Sequence, residues 1–205
     1  MTAAGAAGVV RAKKTEGDKM NAIKMEKYYS YADWLEIDDG NRYELVDGVL
    51  YMMASPATRH QAILMEVSRQ IANFLVGKPC KVFPALFDVR LVKNKDKVFI
   101  PDITVICDPK KIKPEGCEGA PDFIAEILSP GNRSHDTILK LNEYRDAGVK
   151  EYWIIDPDEK ALTAYSLKQK DYIVSGYTGK ESAPVKVLPG LSIDLNLVFG
   201  EETES

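Results

Sequence analysis

An aspartate followed by a glycine, Asp47-Gly48, separates two short β-rich runs at residues 43–46 and 49–53. A two-residue connection between antiparallel strands needs positive φ angles, and an Asp-Gly pair supplies them at little steric cost. So short a turn also fixes which residues of the two strands face each other. The sequence therefore predicts a β-hairpin here, and the chain must build at least one sheet.

Further strands are predicted along most of the chain, because runs rich in β-branched and aromatic residues recur between charged or turn-forming segments. They lie at residues 80–83, 87–92, 98–107, 123–128, 151–156, 161–166, 172–174 and 185–188. The last three runs resemble antiparallel additions at the C-terminal end of a sheet.

Three helices are predicted from capping residues and apolar periodicity. They cover residues 31–36 after a Ser30 capping box, residues 56–76 after a Ser55 cap, and residues 135–147 after a Ser134 cap. The order of helices and strands predicts an α/β fold: a mixed central β-sheet flanked by helices, with extra antiparallel strands at the C-terminus.

The length of 205 residues and the 45% share of hydrophobic residues suit one domain with an ordinary buried core. We expect that domain to span residues 25–200, with flexible tails at residues 1–24 and 201–205. The apolar residues at the start of the chain precede its first basic residues, which reverses the order of a secretory signal. No apolar run approaches the roughly 20 residues that a membrane span needs, so we expect no membrane partner.

The formal net charge of -4 gives the chain no overall attraction to a polyanion. A nucleic-acid surface would therefore have to be a local patch. Two basic clusters, at residues 93–97 and 110–113, either contact phosphates or remain solvated.

The three cysteines, Cys80, Cys107 and Cys117, are odd in number and lack C-x-x-C spacing. This pattern argues against both a disulfide framework and a structural zinc site. We therefore expect free thiols and a cytoplasmic location.

Two carboxylates stand where burial would be costly. Asp102 follows Pro101 and precedes the apolar run at residues 103–106, while Glu126 lies inside the apolar run at residues 123–128. An unpartnered carboxylate in such a run carries a heavy desolvation cost, which a bound cation or a lysine would offset. Phosphodiester cleavage needs a similar set, namely acids that hold a divalent cation and a cationic group near the phosphate.

Five segments complete this pattern: Tyr43-Glu44-Leu45-Val46-Asp47-Gly48, Pro101-Asp102-Ile103, Glu126-Ile127-Leu128-Ser129-Pro130, Asp136 with Lys140 and Tyr144, and Gly148-Val149-Lys150-Glu151-Tyr152-Trp153. Together they resemble the PD-(D/E)XK nuclease superfamily, and within it a restriction-endonuclease family whose catalytic lysine has moved to the following helix. The superfamily motif places lysine where this chain has Leu128, and Lys140 matches the moved position. Residues 136, 140 and 144 are four apart and therefore share one face of a helix.

The resemblance implies an endonuclease that hydrolyses phosphodiester bonds of DNA with Mg²⁺ or Mn²⁺. Asp102 and Glu126 would bind the metal together with the backbone carbonyl of Ile127, and Lys140 would orient water or stabilise the transition state. Glu44 and His60 are candidate auxiliary residues. Cutting both strands of a duplex is simplest with two sites related by a two-fold axis, so we expect a homodimer.

The same residues also have purely structural interpretations. Asp102 could pair with a backbone amide at a strand start, and Lys140 could be a solvated helix lysine. Glu44 could be a surface residue of the hairpin, and His60 could have a structural role in the first turns of a helix. In that case the chain would be a catalytically inactive binding or assembly module with a nuclease fold, linked to mobile elements or defence systems. No feature of the residues distinguishes DNA from RNA as the substrate.

Overall fold

A computed structural model describes residues 28–91, 97–129 and 135–200, without the side chains of residues 135 and 136. The predicted tails, the Ser134 cap and residues 93–96 of the first basic cluster lie outside these ranges. Within them, no helix is long and apolar enough to cross a membrane.

The described residues form four α-helices and fourteen strands. The helices are α1 (Tyr31–Leu35), α2 (Thr58–Leu75), α3 (His135–Ala147) and α4 (Leu195–Phe199), and a 3-10 turn covers Pro109–Lys111. The strands are β1 (Tyr43–Val46), β2 (Val49–Met52), β3 (Lys81–Pro84), β4 (Val89–Arg90), β5 (Val98–Phe99), β6 (Ile103–Ile106), β7 (Ile112–Lys113), β8 (Gly116–Glu118), β9 (Phe123–Ile127), β10 (Glu151–Asp156), β11 (Ala161–Lys168), β12 (Asp171–Thr178), β13 (Ser182–Pro184) and β14 (Ser192–Asp194).

Most of these strands belong to two six-stranded sheets. The first sheet has the order β2-β1-β5-β4-β8-β7, and the second has the order β12-β11-β10-β9-β6-β3. In the second sheet β9 and β10 are parallel, whereas the pairs on either side of them are antiparallel. Strands β11 and β12 are antiparallel additions near the C-terminus. The predicted α/β fold with a mixed sheet is therefore confirmed.

The second sheet is covered on both faces. One face, which carries Phe123 of β9, packs against α2 through residues such as Val67. The other face, which carries Ile124 of β9, packs against Tyr144 of α3 and against strands of the first sheet. Because side chains alternate along a strand, Glu126 lies on the same face as Ile124, toward α3.

The predicted hairpin and the end of the third predicted helix are confirmed. Strands β1 and β2 pair with Val46 opposite Val49, and the turn residues Asp47 and Gly48 have φ angles of 49° and 79°. Helix α3 ends before Gly148, whose φ angle of 92° is one that residues other than glycine rarely adopt. These features depend on local backbone geometry, which the sequence encodes directly.

The predicted start of the long helix is wrong. Helix α2 begins at Thr58 with Ala57 at its N-cap, and no side chain caps it. Ser55 and Pro56 precede it without helical structure. Burial of its apolar face stabilises α2 without a capping side chain.

The predicted strand at residues 98–107 is two strands, β5 and β6, with a break between them. At the break, the backbone amide of Ile100 donates to a carboxylate oxygen of Glu44 rather than to a neighbouring strand. The break leaves Asp102 immediately before β6, at a strand end. An apolar run alone does not show that a side chain from another strand will interrupt it.

The predicted strand at residues 185–188 is a turn. The amide of Leu188 donates to the carbonyl of Val185 at 3.0 Å, and both side chains are buried. Their apolar character therefore reflects core packing rather than strand pairing. The β7–β8 hairpin, the β13–β14 hairpin and α4 are additional elements that were not predicted from the sequence.

Cys80 and Cys107 form a disulfide bond, so the expectation of free thiols is wrong for these two residues. Strands β3 and β6 pair with Lys81 opposite Ile106, which brings the adjacent cysteines opposite each other. Strand register decides this pairing, and spacing along the chain does not reveal it. Cys117 is a free, buried thiol whose pKa is raised to about 11 by burial. The cysteine pattern therefore gives no support for a reducing compartment.

Candidate active site

Asp102 and Glu126 lie on neighbouring strands of the second sheet. Ile103 of β6 pairs with Ala125 of β9, and one further step of the same antiparallel register places Asp102 opposite Glu126. The two acids, 24 positions apart in the chain, therefore lie at the same end of the β6–β9 pair. Lys140 of α3 contacts Glu126, and His60 of α2 contacts Asp102.

The Asp102 side chain is held at the strand end by the next residue of β9. Its Oδ2 atom accepts a 2.7 Å hydrogen bond from the backbone amide of Ile127, and the residue is only 9% exposed. This contact is the one that the structural interpretation of Asp102 expected, and it also fixes the carboxylate beside Glu126. The amide of Ile127 thus has a clear role, whereas metal binding by its carbonyl stays a prediction.

Glu126 receives two hydrogen bonds from α3. Its Oε1 atom lies 3.1 Å from Lys140 Nζ and 2.9 Å from the Tyr144 hydroxyl, which donates to it. These donors offset the desolvation cost that the apolar surroundings of Glu126 predict. The two donors are four residues apart, so one helix face supplies both.

Lys140 is buried in the site rather than solvated. It is 7% exposed, and its ammonium also donates to Glu44 Oε1 at 3.0 Å. The solvated interpretation of this residue is therefore wrong. The predicted contact between Lys140 and a strand carboxylate is present, while its role in catalysis stays a prediction.

Glu44 connects the first sheet to the site. It lies in β1, is 6% exposed, and accepts from both Lys140 and the backbone amide of Ile100, the latter at 2.9 Å. The interpretation of Glu44 as a surface residue of the hairpin is wrong. Its carboxylate therefore contacts the same Lys140 ammonium as Glu126 does.

His60 comes from the first turn of α2. Its Nε2 atom lies 3.2 Å from Asp102 Oδ2, and its side chain is 12% exposed. Its Nδ1 atom is buried and has no hydrogen-bond partner among the described residues. Both candidate auxiliary residues thus contact the proposed machinery, Glu44 through Lys140 and His60 through Asp102.

The charges at the site favour a divalent cation. Counted as ionised, Asp102, Glu126 and Glu44 carry three negative charges against the single positive charge of Lys140. No three His, Cys, Asp or Glu side chains in the described ranges form a ready-made metal cage. Mg²⁺ keeps several waters and needs only one or two carboxylates, so Asp102 and Glu126, at the same end of two adjacent segments, fit it by ligand chemistry.

Tyr144 is the site residue to which the sequence analysis gave no role. Its sequence signals were its place among the residues that carry the family resemblance and its position four residues after Lys140 on the same helix face. The residue is fully buried, and burial raises the pKa of its hydroxyl well above the usual value of 10.0. The hydroxyl therefore stays protonated and acts as a donor to Glu126.

One lysine of each basic cluster makes internal contacts in the described structure. Lys97 pairs with Asp47 and Glu143, and Lys111 donates to the backbone carbonyl of Ala120. These contacts stabilise the fold. A phosphate contact by either cluster stays a prediction.

The mixed sheet, with helices on both faces and acids on two neighbouring strands, defines a fold of the restriction-endonuclease-like class. The chain belongs to the Uma2 family, described as "Putative restriction endonuclease", whose family model matches residues 25–196.

Two similar proteins cover most of the chain. The crystal structure of a "putative nuclease belonging to DUF820" from Anabaena variabilis superimposes with a TM-score of 0.69 at 21% identity, covering 83% of this chain and 97% of that one. This likeness shows the fold. The uncharacterized protein slr1290 of Synechocystis sp. is 23% identical over 171 residues, which are 82% of this chain and 88% of that protein.

Proposed function

We propose that this protein is a metal-dependent endonuclease that hydrolyses phosphodiester bonds of DNA. One observation carries the proposal: Lys140, at the position expected for the moved lysine, donates to Glu126, and the backbone amide of the next residue, Ile127, donates to Asp102. Membership of the Uma2 family supports a nuclease activity. An inactive module would gain nothing from burying this costly set of charges together.

In the proposed mechanism, Asp102 and Glu126 would hold the metal together with the carbonyl of Ile127. A bound Mg²⁺ or Mn²⁺ ion would neutralise charge on the phosphate and lower the pKa of a water molecule. Lys140 orients the attacking water or stabilises the charge that develops on the phosphate. Glu44 holds Lys140 in place, and His60 holds Asp102.

The proposed partners are double-stranded DNA and a second copy of the chain, since two sites related by a two-fold axis can cut both strands. The proposed location is the cytoplasm.

The test is cleavage of plasmid and single-stranded DNA with Mg²⁺, with Mn²⁺ and with excess chelator. We expect nicks or breaks with either ion and none with chelator. Asp102→Asn should abolish cutting with little loss of fold, because it removes a ligand charge but keeps the shape of the side chain.

Asp194→Asn is the matched control for this variant. Asp194 caps α4 through the amide of Asn196, and asparagine is an equally good N-cap. This control should cut like the parent. Equal cleavage in excess chelator would contradict the metal mechanism, and binding of DNA without cleavage under any condition would favour the inactive module.

A further inference from the structure

Tyr144 contacts the proposed metal ligand Glu126 from the fully buried side of the site. Its hydroxyl donates to Glu126 Oε1 at 2.9 Å, and its side chain is 0% exposed. The oxygen that it contacts is the same one that accepts from Lys140 at 3.1 Å. Two donors from one helix face therefore fix the orientation of a single carboxylate.

The Tyr144 ring is held in place from two directions. It packs edge-on against Phe99, with ring centroids 5.2 Å apart and an interplanar angle of 67°, and against Tyr152 at 5.0 Å and 71°. Such contacts between aromatic rings are favourable and specific in geometry. The hydroxyl is therefore presented to Glu126 by a rigid support.

The two donors to Glu126 differ in what they can do during a reaction. Lys140 carries a positive charge on a flexible stem, so it can turn toward an incoming phosphate or water. Tyr144 is neutral and enclosed, so its hydroxyl stays on Glu126 when the ammonium moves. Tyr144 can therefore keep the Glu126 carboxylate in place while Lys140 contacts the phosphate or the attacking water.

We propose that Tyr144 is a positioning residue that keeps the Glu126 carboxylate aimed at the metal position while Lys140 engages the substrate. This inference rests on the proposed function, because it assigns Glu126 to the metal. It adds a residue that acts through Glu126 and touches neither the metal nor the DNA.

The test is Tyr144→Phe, which removes the hydroxyl and keeps the ring. The matched control is Tyr172→Phe, because the hydroxyl of the half-buried Tyr172 donates to the backbone carbonyl of Val149 at 3.0 Å instead of to a site residue. The Mn²⁺ affinity of the purified, DNA-free protein is measured by calorimetry. The kcat and KM for DNA cleavage are measured in parallel.

Tyr144→Phe should weaken Mn²⁺ binding by about tenfold or more, the scale seen when a group that orients a metal ligand is removed. Its kcat should fall while the KM for DNA stays within twofold of the parent. Tyr172→Phe should lower the melting temperature but leave Mn²⁺ affinity and kcat unchanged.

A second variant separates positioning from a general loss of packing. If Tyr144 acts only through Glu126, adding Tyr144→Phe to Glu126→Gln should cause no further loss of Mn²⁺ affinity. Additive losses in that double variant would overturn the inference. Parent-like Mn²⁺ affinity in Tyr144→Phe would also overturn the inference about Tyr144 but would leave the proposed function intact. A parent protein that neither binds Mn²⁺ nor cuts DNA would refute the proposed function itself.

Discussion

Lys140 Nζ lies 3.1 Å from Glu126 Oε1, although the two residues are 14 positions apart and belong to different elements. The superfamily motif would place this ammonium two residues after the acid, on the same strand. Here that position is Leu128, and the helix after β9 supplies the cation instead. The absence of the motif lysine at position 128 is therefore compatible with an ammonium beside Glu126 in the folded chain.

The first prediction concerns Lys140 itself. Lys140→Ala should lower the cleavage rate by about a hundredfold or more, the scale of losing one preorganised charge donor. Lys140→Arg should restore only part of the rate, since a planar guanidinium does not replace a compact ammonium.

Lys150→Ala is the matched control for these variants, because Lys150 also pairs with a buried carboxylate, that of Asp122, at 2.6 Å. Rates are measured on plasmid DNA with Mn²⁺. If Lys140→Ala cuts as fast as Lys150→Ala, Lys140 has no catalytic role.

The second prediction separates two roles of Glu44. Glu44→Gln keeps an oxygen for the amide of Ile100 but removes the charge that holds Lys140, so cleavage should slow by about tenfold with little change in stability. Glu44→Ala should also lower the free energy of unfolding by about 1–3 kcal/mol, because the Ile100 amide loses its acceptor. Urea denaturation and cleavage assays on both variants check this. Equal stability of the two variants would contradict the role of the Ile100 contact.

The third prediction concerns His60, which contacts Asp102 at 3.2 Å. His60→Ala should slow cleavage by about tenfold or more, because the Asp102 carboxylate loses one of the groups that orient it. Arg59→Ala is the control, since Arg59 is its neighbour in α2 but pairs with the exposed Asp158 at 3.7 Å. A His60 variant that cuts at the rate of the Arg59 variant would remove His60 from the site.

The fourth prediction is a homodimer. The chain has a mass of 22.8 kDa, so light scattering should return about twice that value at working concentrations. A dimer provides one site for each strand of a duplex. A monomer that still makes double-strand breaks would show that the second copy is unnecessary.

The fifth prediction concerns Glu151, a fully buried residue of β10. Burial raises the pKa of this carboxyl, although hydrogen bonds from the Val187 amide and Trp153 partly oppose the shift. An acid whose pKa is raised on folding binds its proton more tightly in the folded state, so its stabilising contribution is present at low pH and is lost as pH rises through the raised pKa. The unfolding free energy of the parent minus that of Glu151→Gln should therefore decrease from about pH 4 to pH 7. A constant difference in urea denaturation across this range would contradict the assignment.

The sequence by itself determined the features that depend on neighbouring residues. The Asp47-Gly48 pair specified the hairpin and Gly148 specified the end of α3, because positive φ angles are a local requirement. Asp102 and Glu126 were also found from local context. A carboxylate in or beside an apolar run becomes buried when the run folds into the core, and its desolvation cost must be offset by a partner. The segments between residues 43 and 156 were enough to indicate the family.

The tertiary structure decided which side chains meet. Glu44 and Lys140 are 96 positions apart, and only the packing of the first sheet beside α3 brings them within 3.0 Å. Strand register likewise placed Asp102 opposite Glu126 and joined Cys80 to Cys107, which spacing along the chain had argued against. Register and packing arise from contacts between distant parts of the chain, so no window of the sequence contains them.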